Sequence, residues 1–150
     1  MNQRDDLTRQ FREIQPKFSR FYARLLTQAN LTLPQFALLS QLAYRGTVSM
    51  TEISAKLHIT KPAVTNLADR LEKNRFLKRL PHPKDRRVSL LQIQLKGERM
   101  VRRTQEQALN LLLKALNPFS TGERKTIARF YVSLSQALDE VLERARERSK

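Results

Sequence analysis

Cysteine is absent from this 150-residue chain. That removes disulfides, thiol redox sensing and thiolate metal sites together. Glycine occurs only three times, which with the long periodic stretches favours helix over sheet. No apolar run approaches the roughly 20 residues needed to span a bilayer. The opening MNQRDDLTRQ lacks the apolar core of a signal peptide. A soluble cytoplasmic protein with no membrane partner is therefore expected. Acidic residues are scarce as well. Fourteen Asp and Glu stand against 29 Lys and Arg, a formal charge of +15.

Such an imbalance calls for a polyanionic partner, with nucleic acid ahead of an anionic membrane surface. A merely basic, soluble surface is the bland alternative. The charge is too concentrated for it: from Lys73 to Arg103 only Asp85 and Glu98 oppose the cations. An apolar content of 40% suffices for a core, and the length suits one compact protomer.

Periodicity organises the chain into helices around a different centre. Leu7, Phe11, Ile14, Phe18, Phe21 or Tyr22, and Leu25 form one helical stripe, either a core face or an oligomer seam. Pro16 predicts that this helix starts near it or kinks there. Thr32-Leu33-Pro34-Gln35 and Ser49-Met50-Thr51-Glu52 fit capping boxes. They open a helix over Leu33 to about Tyr44 and a short one carrying Ile53 and Leu57, with a short strand at Val48 between them. His58-Ile59-Thr60 reads as a turn, and Thr60 caps a helix from Lys61 to about Lys73. Phe76 to Leu80 and Val88 to Leu95 read as strands flanking a charged tip. A long helix is expected from Lys96 to Leu116, stopped by Asn117-Pro118. A last helix follows the capping box at Ser120 and frays into ERARERSK.

The middle of this pattern carries the chemistry. On the Lys61–Lys73 helix, Val64, Leu67, Ala68 and Leu71 share an inward face. Lys61, Pro62, Ala63, Thr65, Asn66, Asp69 and Arg70 share the outward one. Short, hydrogen-bonding side chains near a helix N-terminus can approach base edges in a major groove. Thr65 and Asn66 have the right size, Pro62 and Ala63 suit a thymine methyl, and Lys61 and Arg70 suit phosphates, or a guanine if they reach the groove floor. The alternative is a solvated face without a partner; the neighbouring hairpin tip weighs against it. In that tip Asp85 and Arg87 lie two apart on one side of an extended chain, so their pairing would orient the guanidinium. A held arginine suits a narrow minor groove. Alone, such an exposed pair would be weak evidence.

The chain resembles the MarR family of transcriptional regulators. LTLPQFALLSQL at 31–42, MTEISAKLHITKPAVTNLADRLEK at 50–73 and DRRVSLLQIQLKGERM at 85–100 carry the resemblance. The family's Asp-x-Arg wing signature falls on Asp85 and Arg87. The fold class this implies is mainly α with a small β-wing, a winged helix-turn-helix with N- and C-terminal dimerisation helices. The expected segments are an N-terminal dimerisation helix (1–32), the winged helix-turn-helix (33–95) and C-terminal dimerisation helices (96–150), in one intertwined protomer. The resemblance further implies an obligate homodimer on pseudo-palindromic double-stranded DNA. Helix 61–73 would enter the major groove and wing 81–87 the minor groove. Thr60, Lys61, Pro62, Ala63, Thr65, Asn66, Arg70, Lys84, Asp85, Arg86 and Arg87 are the expected DNA-binding residues. Two departures stand out. Arg75 occupies a position where the family usually has glycine, which leaves Asn74 to take a left-handed cap. Leu95-Lys96-Gly97 stands where Leu-Thr-Gly is common.

Family members are often released from DNA by small phenolic or carboxylate-bearing effectors. Phe18, Arg20, Tyr22, Phe36 and Tyr44 are the candidates by that analogy, against a reading in which the aromatics are core. No cofactor motif, catalytic triad or paired-carboxylate pattern appears, and His58 and His82 lack metal-ligand spacing. An enzyme is not expected. The expected function is a sequence-specific regulator, acting as a repressor. The alternatives are a nonspecific architectural or silencing-antagonist DNA-binding protein, and an interaction module that binds protein or an acidic membrane.

Overall fold

The computed structural model describes residues 3–147. In order, the elements are α1 (Gln3–Thr27), α2 (Leu33–Arg45), β1 (Val48–Ser49), α3 (Met50–Leu57), α4 (Lys61–Lys73), β2 (Leu77–Pro81), β3 (Ser89–Ile93), α5 (Leu95–Leu116) and α6 (Thr121–Glu147). The chain divides into two units, residues 1–104 and 105–150. The class is mainly helical with one small antiparallel sheet, as the sequence predicts.

The first unit is built on α2, α4 and the sheet. Strand order is β1-β3-β2, with Val48 opposite Leu91 and Leu77 opposite Ile93. Leu38, Leu39 and Leu42 of α2, Ile53 of α3, Val64, Ala68 and Leu71 of α4, Leu77 and Leu91 are all fully buried. Each fully buried leucine contributes about 1.5–3 kcal/mol relative to exposure. Leu26, at the end of α1, is buried in the same cluster.

Capping sets the helix starts. At α2 the Thr32 hydroxyl accepts from the Gln35 N–H, and the Gln35 side chain accepts from the Thr32 N–H at 2.8 Å. Ser49 and Glu52 repeat the device at α3, as Ser120 and Glu123 do at α6.

Several boundaries differ from the sequence expectation. α1 begins at Gln3 and runs through Pro16. A proline removes one rung, and propagation on both sides supplies the others. β2 starts at Leu77 because the Phe76 N–H instead closes the end of α4, donating to the Leu71 carbonyl at 2.9 Å. Val88 falls outside β3 because its N–H donates to the Asp85 carbonyl within the tip. α6 does not fray at Glu143; it reaches Glu147, with Arg144 pairing Glu140 at 3.5 Å. Arg148, Ser149 and Lys150 of that tail lie outside the described residues. The left-handed residue after α4 is Arg75 (φ 58°), whereas Asn74 keeps φ −91°. The Arg75 and Phe76 N–H groups reach back to Glu72 and Leu71, and this pattern requires the turn at Arg75.

The second unit comprises the rest of α5 and α6. Arg124 ties its turn: its Nε donates to the Leu116 and Phe119 carbonyls at 3.1 and 2.9 Å. None of the described residues in this unit is buried in the single chain. Phe130 is 61% exposed and Val141 63%.

Two stability effects follow from local geometry. A left-handed arginine costs about 1–2 kcal/mol, and glycine sacrifices about 0.5–1 kcal/mol of chain entropy. Arg75→Gly is thus expected to raise the unfolding free energy by roughly 0.5–1 kcal/mol, read as a higher urea midpoint. Gly97 behaves oppositely. A Cβ there would run into the Phe76 carbonyl oxygen and stand 2.7 Å from Ile93 Cγ1. Overpacking of about 1–3 kcal/mol outweighs the helix-propensity gain of about 1 kcal/mol, so Gly97→Ala should lower the urea midpoint. An unchanged midpoint would contradict that close approach.

Candidate nucleic-acid interface

The interface begins with a turn. His58 ends α3 in the left-handed conformation, φ 52° and ψ 40°. The Ile59 N–H donates to the Ser54 carbonyl, and the Ser54 hydroxyl donates back to the Ile59 carbonyl at 2.7 Å. Thr60 then caps α4, its hydroxyl accepting from the Ala63 N–H at 3.4 Å. Pro62 sits in the first turn, where no N–H is required.

α4 turns Val64, Ala68 and Leu71 into the core. Thr60, Lys61, Pro62, Thr65, Asn66 and Arg70 are exposed, while Ala63 and Leu67 are half-buried. The Thr65 hydroxyl donates to the Lys61 carbonyl at 3.1 Å. The Asn66 amide and Arg70 guanidinium make no hydrogen bond among the described residues, so both remain available to a partner.

The wing tip is held by its own hydrogen bonds. The His82 N–H donates to the Val88 carbonyl at 3.1 Å. His82 Nδ1 accepts from the Lys84 and Asp85 N–H groups, both at 3.2 Å. That pattern leaves the ring proton on Nε2. Asp85 Oδ1 accepts from the Arg87 backbone N–H at 3.0 Å and from its Nε at 3.3 Å. The expected Asp85–Arg87 pairing is present. An exposed pair of this kind contributes little to stability; its effect is to aim a side chain that is 91% exposed. Lys84 and Arg86 beside it are exposed.

The geometry is that of a winged helix-turn-helix, and known proteins share it. A model of the MarR family matches residues 31–89. The HTH-type transcriptional regulator YsmB of Bacillus subtilis is 29% identical over 136 residues, 91% of either chain. The HTH-type transcriptional repressor MdtR of the same organism is 26% identical over 129 residues, 86% of this chain and 81% of that one. A MarR family protein from Bacillus stearothermophilus has the same fold, with TM-score 0.76 and 28% identity over 93% of this chain and 99% of that one. The family model falls on the winged helix-turn-helix, and the fold as a whole is similar to that of MarR family proteins.

As in its MarR relatives, the fold is that of a DNA-binding transcriptional regulator. Two residues of this candidate site escape sequence reasoning. Arg79 of β2 pairs with both Asp69 and Glu72 of α4. Burial works against its charge, and the two hydrogen-bonded carboxylates more than offset it, so its pKa lies above the usual arginine value. The signal was a cation two residues after buried Leu77, on the inward side of a strand. Lys96 Nζ donates to the Asn74 carbonyl at 2.9 Å and lies 4.3 Å from the Phe76 ring centroid, fastening α5 to the end of α4.

The five effector candidates are dispersed. Phe36 belongs to the core, Tyr44 is 86% exposed, Phe18 and Arg20 are exposed on α1, and Tyr22 packs edge-on against Phe21. A shallow groove of about 440 Å³ is lined instead by Gln28, Ala29, Asn30, Phe76, Lys96, Arg99, Met100 and Arg103. Among the described residues, no three His, Cys, Asp or Glu side chains are grouped to hold a metal.

The cap that opens α3 makes the winged module acid-sensitive. The Ser49 hydroxyl and N–H donate to the Glu52 carboxylate and hold its pKa below 4.5. A depressed carboxylate stabilises above its unfolded pKa, and that stability is lost as pH falls through the folded one. The gap in thermal midpoint between the natural chain and Glu52→Ala should therefore be widest above about pH 4.5 and close on acidification. A gap independent of pH would remove the carboxylate from the cap.

Proposed function

We propose that this chain acts as a homodimeric repressor on a pseudo-palindromic operator, in the cytoplasm, with α4 in the major groove and the wing at 81–87 in the minor groove. The observation that carries the reading is the pairing of unspent side chains, Asn66 and Arg70 on α4, with a pre-aimed Arg87 on the same unit. An amide can bond adenine N6 and N7 together, and a held arginine suits a narrow, electronegative minor groove. Lys61, Lys84 and Arg86 take phosphates.

The dimer is supported by apolar side chains that one chain leaves exposed at both of its ends. Leu7 and Phe11 of α1 are each 64% exposed, and Leu138 and Val141 of α6 are exposed too. Soluble monomers rarely leave contiguous patches of that kind uncovered. A second copy covers them and sets two reading heads at a fixed spacing.

The groove edged by Lys96, Arg99 and Arg103 supports release by a small aromatic or carboxylate-bearing effector. Its floor of Ala29, Phe76 and Met100 suits an apolar body, and its cations suit the carboxylate.

Selection from a random duplex pool at moderate salt tests the reading. The expected outcome is an inverted repeat with half-sites about 34–36 Å apart. Arg87→Ala should then bind that site about tenfold or more weakly while sedimenting as the same dimer. The +15 charge favours a second reading, nonspecific architectural binding. Enrichment without a shared motif would establish that reading and exclude the operator.

A further inference from the structure

Arg79 makes more contacts across the first unit than any sequence motif accounts for. Its N–H donates to Glu72 Oε1 at 2.9 Å, and its Nη1 pairs with Glu72 Oε2. Its Nη2 donates to Asp69 Oδ1 at 2.6 Å and reaches the Thr65 carbonyl at 3.5 Å. Thr65, Asp69 and Glu72 are spaced i, i+4, i+7, a single stripe about two turns long. One guanidinium on the wing strand thus grips α4 along that stripe.

We infer that Arg79 is a positioning residue for DNA readout, locking the rotation of α4 to the wing and neutralising the two carboxylates α4 carries. Two arguments separate this from a purely structural role. The hydrophobic layer beneath, Val64, Ala68, Leu71, Leu77 and Leu91, is fully buried and already holds α4 on the sheet. Partly exposed ion pairs on top of it add little stability. What they add is angular definition. A helix turns about 100° per residue, so a small roll of α4 swings Asn66 off a base edge, and the stripe resists that roll.

The second argument is charge. Asp69 and Glu72 are the only acidic residues of α4, and their side chains remain 56% and 37% exposed. Unpaired, they would repel the phosphates that Lys61 and Arg70 attract. The fork of an arginine satisfies two carboxylates at once, whereas a lysine presents a point charge.

The inference rests on the proposed DNA-binding reading, and its test separates the two. Arg79→Gln and Arg79→Lys, in the full-length chain, are titrated against the site the natural chain selects, with circular dichroism and thermal midpoint as controls. The expected result is about tenfold weaker binding for both with helix content unchanged. If the glutamine variant fails to fold, the lysine variant carries the comparison. Combining Arg79→Lys with Arg87→Ala should cost less than the sum of the two, because a wing no longer tied to α4 has already lost part of the Arg87 contact. Adding Asp69→Asn and Glu72→Gln to Arg79→Gln should restore the attraction to phosphate but not base discrimination. Natural affinity in Arg79→Lys, or strict additivity with Arg87→Ala, would overturn the positioning role. Failure of the natural chain to enrich any motif would instead overturn the parent reading. The free protein then still tests the clamp, through hydrogen exchange at the Arg79 amide. Faster exchange in Glu72→Ala, which removes the accepting oxygen, supports it, and unchanged exchange refutes it.

Discussion

The burial of one stripe, Val64, Ala68 and Leu71, against α2 and the sheet is the constraint on which the winged unit depends. It fixes which side of α4 faces outward. Every chemical property of the interface is a remainder of that choice: Thr65, Asn66 and Arg70 are exposed because their neighbours are not. The same packing brings β2 alongside α4, within reach of Arg79. Core and site are two faces of a single helix, and a change in the first rotates the second.

Much of this was legible in the sequence because the signals are local. Thr60 and Pro62 mark the start of α4 through cap chemistry that spans three residues. Asp85 and Arg87 meet because extended chain places alternate residues together. Ser49, Glu52, Ser120 and Glu123 announce their helices by spacing alone. The Arg79 contacts were not legible, since they depend on how a strand lies against a helix from seven to fourteen residues away. The turn at Arg75 was misplaced onto Asn74 for a related reason. Preference by residue type favours Asn in a left-handed position, but the reach of the Phe76 N–H to Leu71 decides which residue must bend. Pro16 shows the reverse, a strong local breaker that a long helix runs through instead of starting beside it. The effector candidates rest on family analogy and residue type, and neither says whether an aromatic such as Phe36 is consumed by the core.

The two units differ in how they satisfy their apolar side chains. Residues 26–104 close a core of their own, with fully buried side chains from four helices and two strands. The described part of residues 105–150 has none, although Leu134, Leu138 and Val141 recur along α6 as regularly as any core stripe. The periodicity of a helix face records that it will be covered, not by what. That is why the same stripe pattern reads alike for α4 and α6 while the single chain treats them differently.

The Thr65 hydroxyl bond to the Lys61 carbonyl has a consequence for the alphabet this helix can read. A hydroxyl has one proton, and here it is spent inside the helix. What Thr65 presents outward is a lone pair and a methyl group. Toward a base edge it can accept from an exocyclic amine or sit against a thymine methyl, but it has nothing to give to guanine O6 or N7. The vocabulary of donors on the first two turns of α4 therefore narrows to the Asn66 amide and the flexible cation of Lys61. On the proposed DNA-binding reading, a helix so equipped discriminates by a few strong letters and tolerates variation between them.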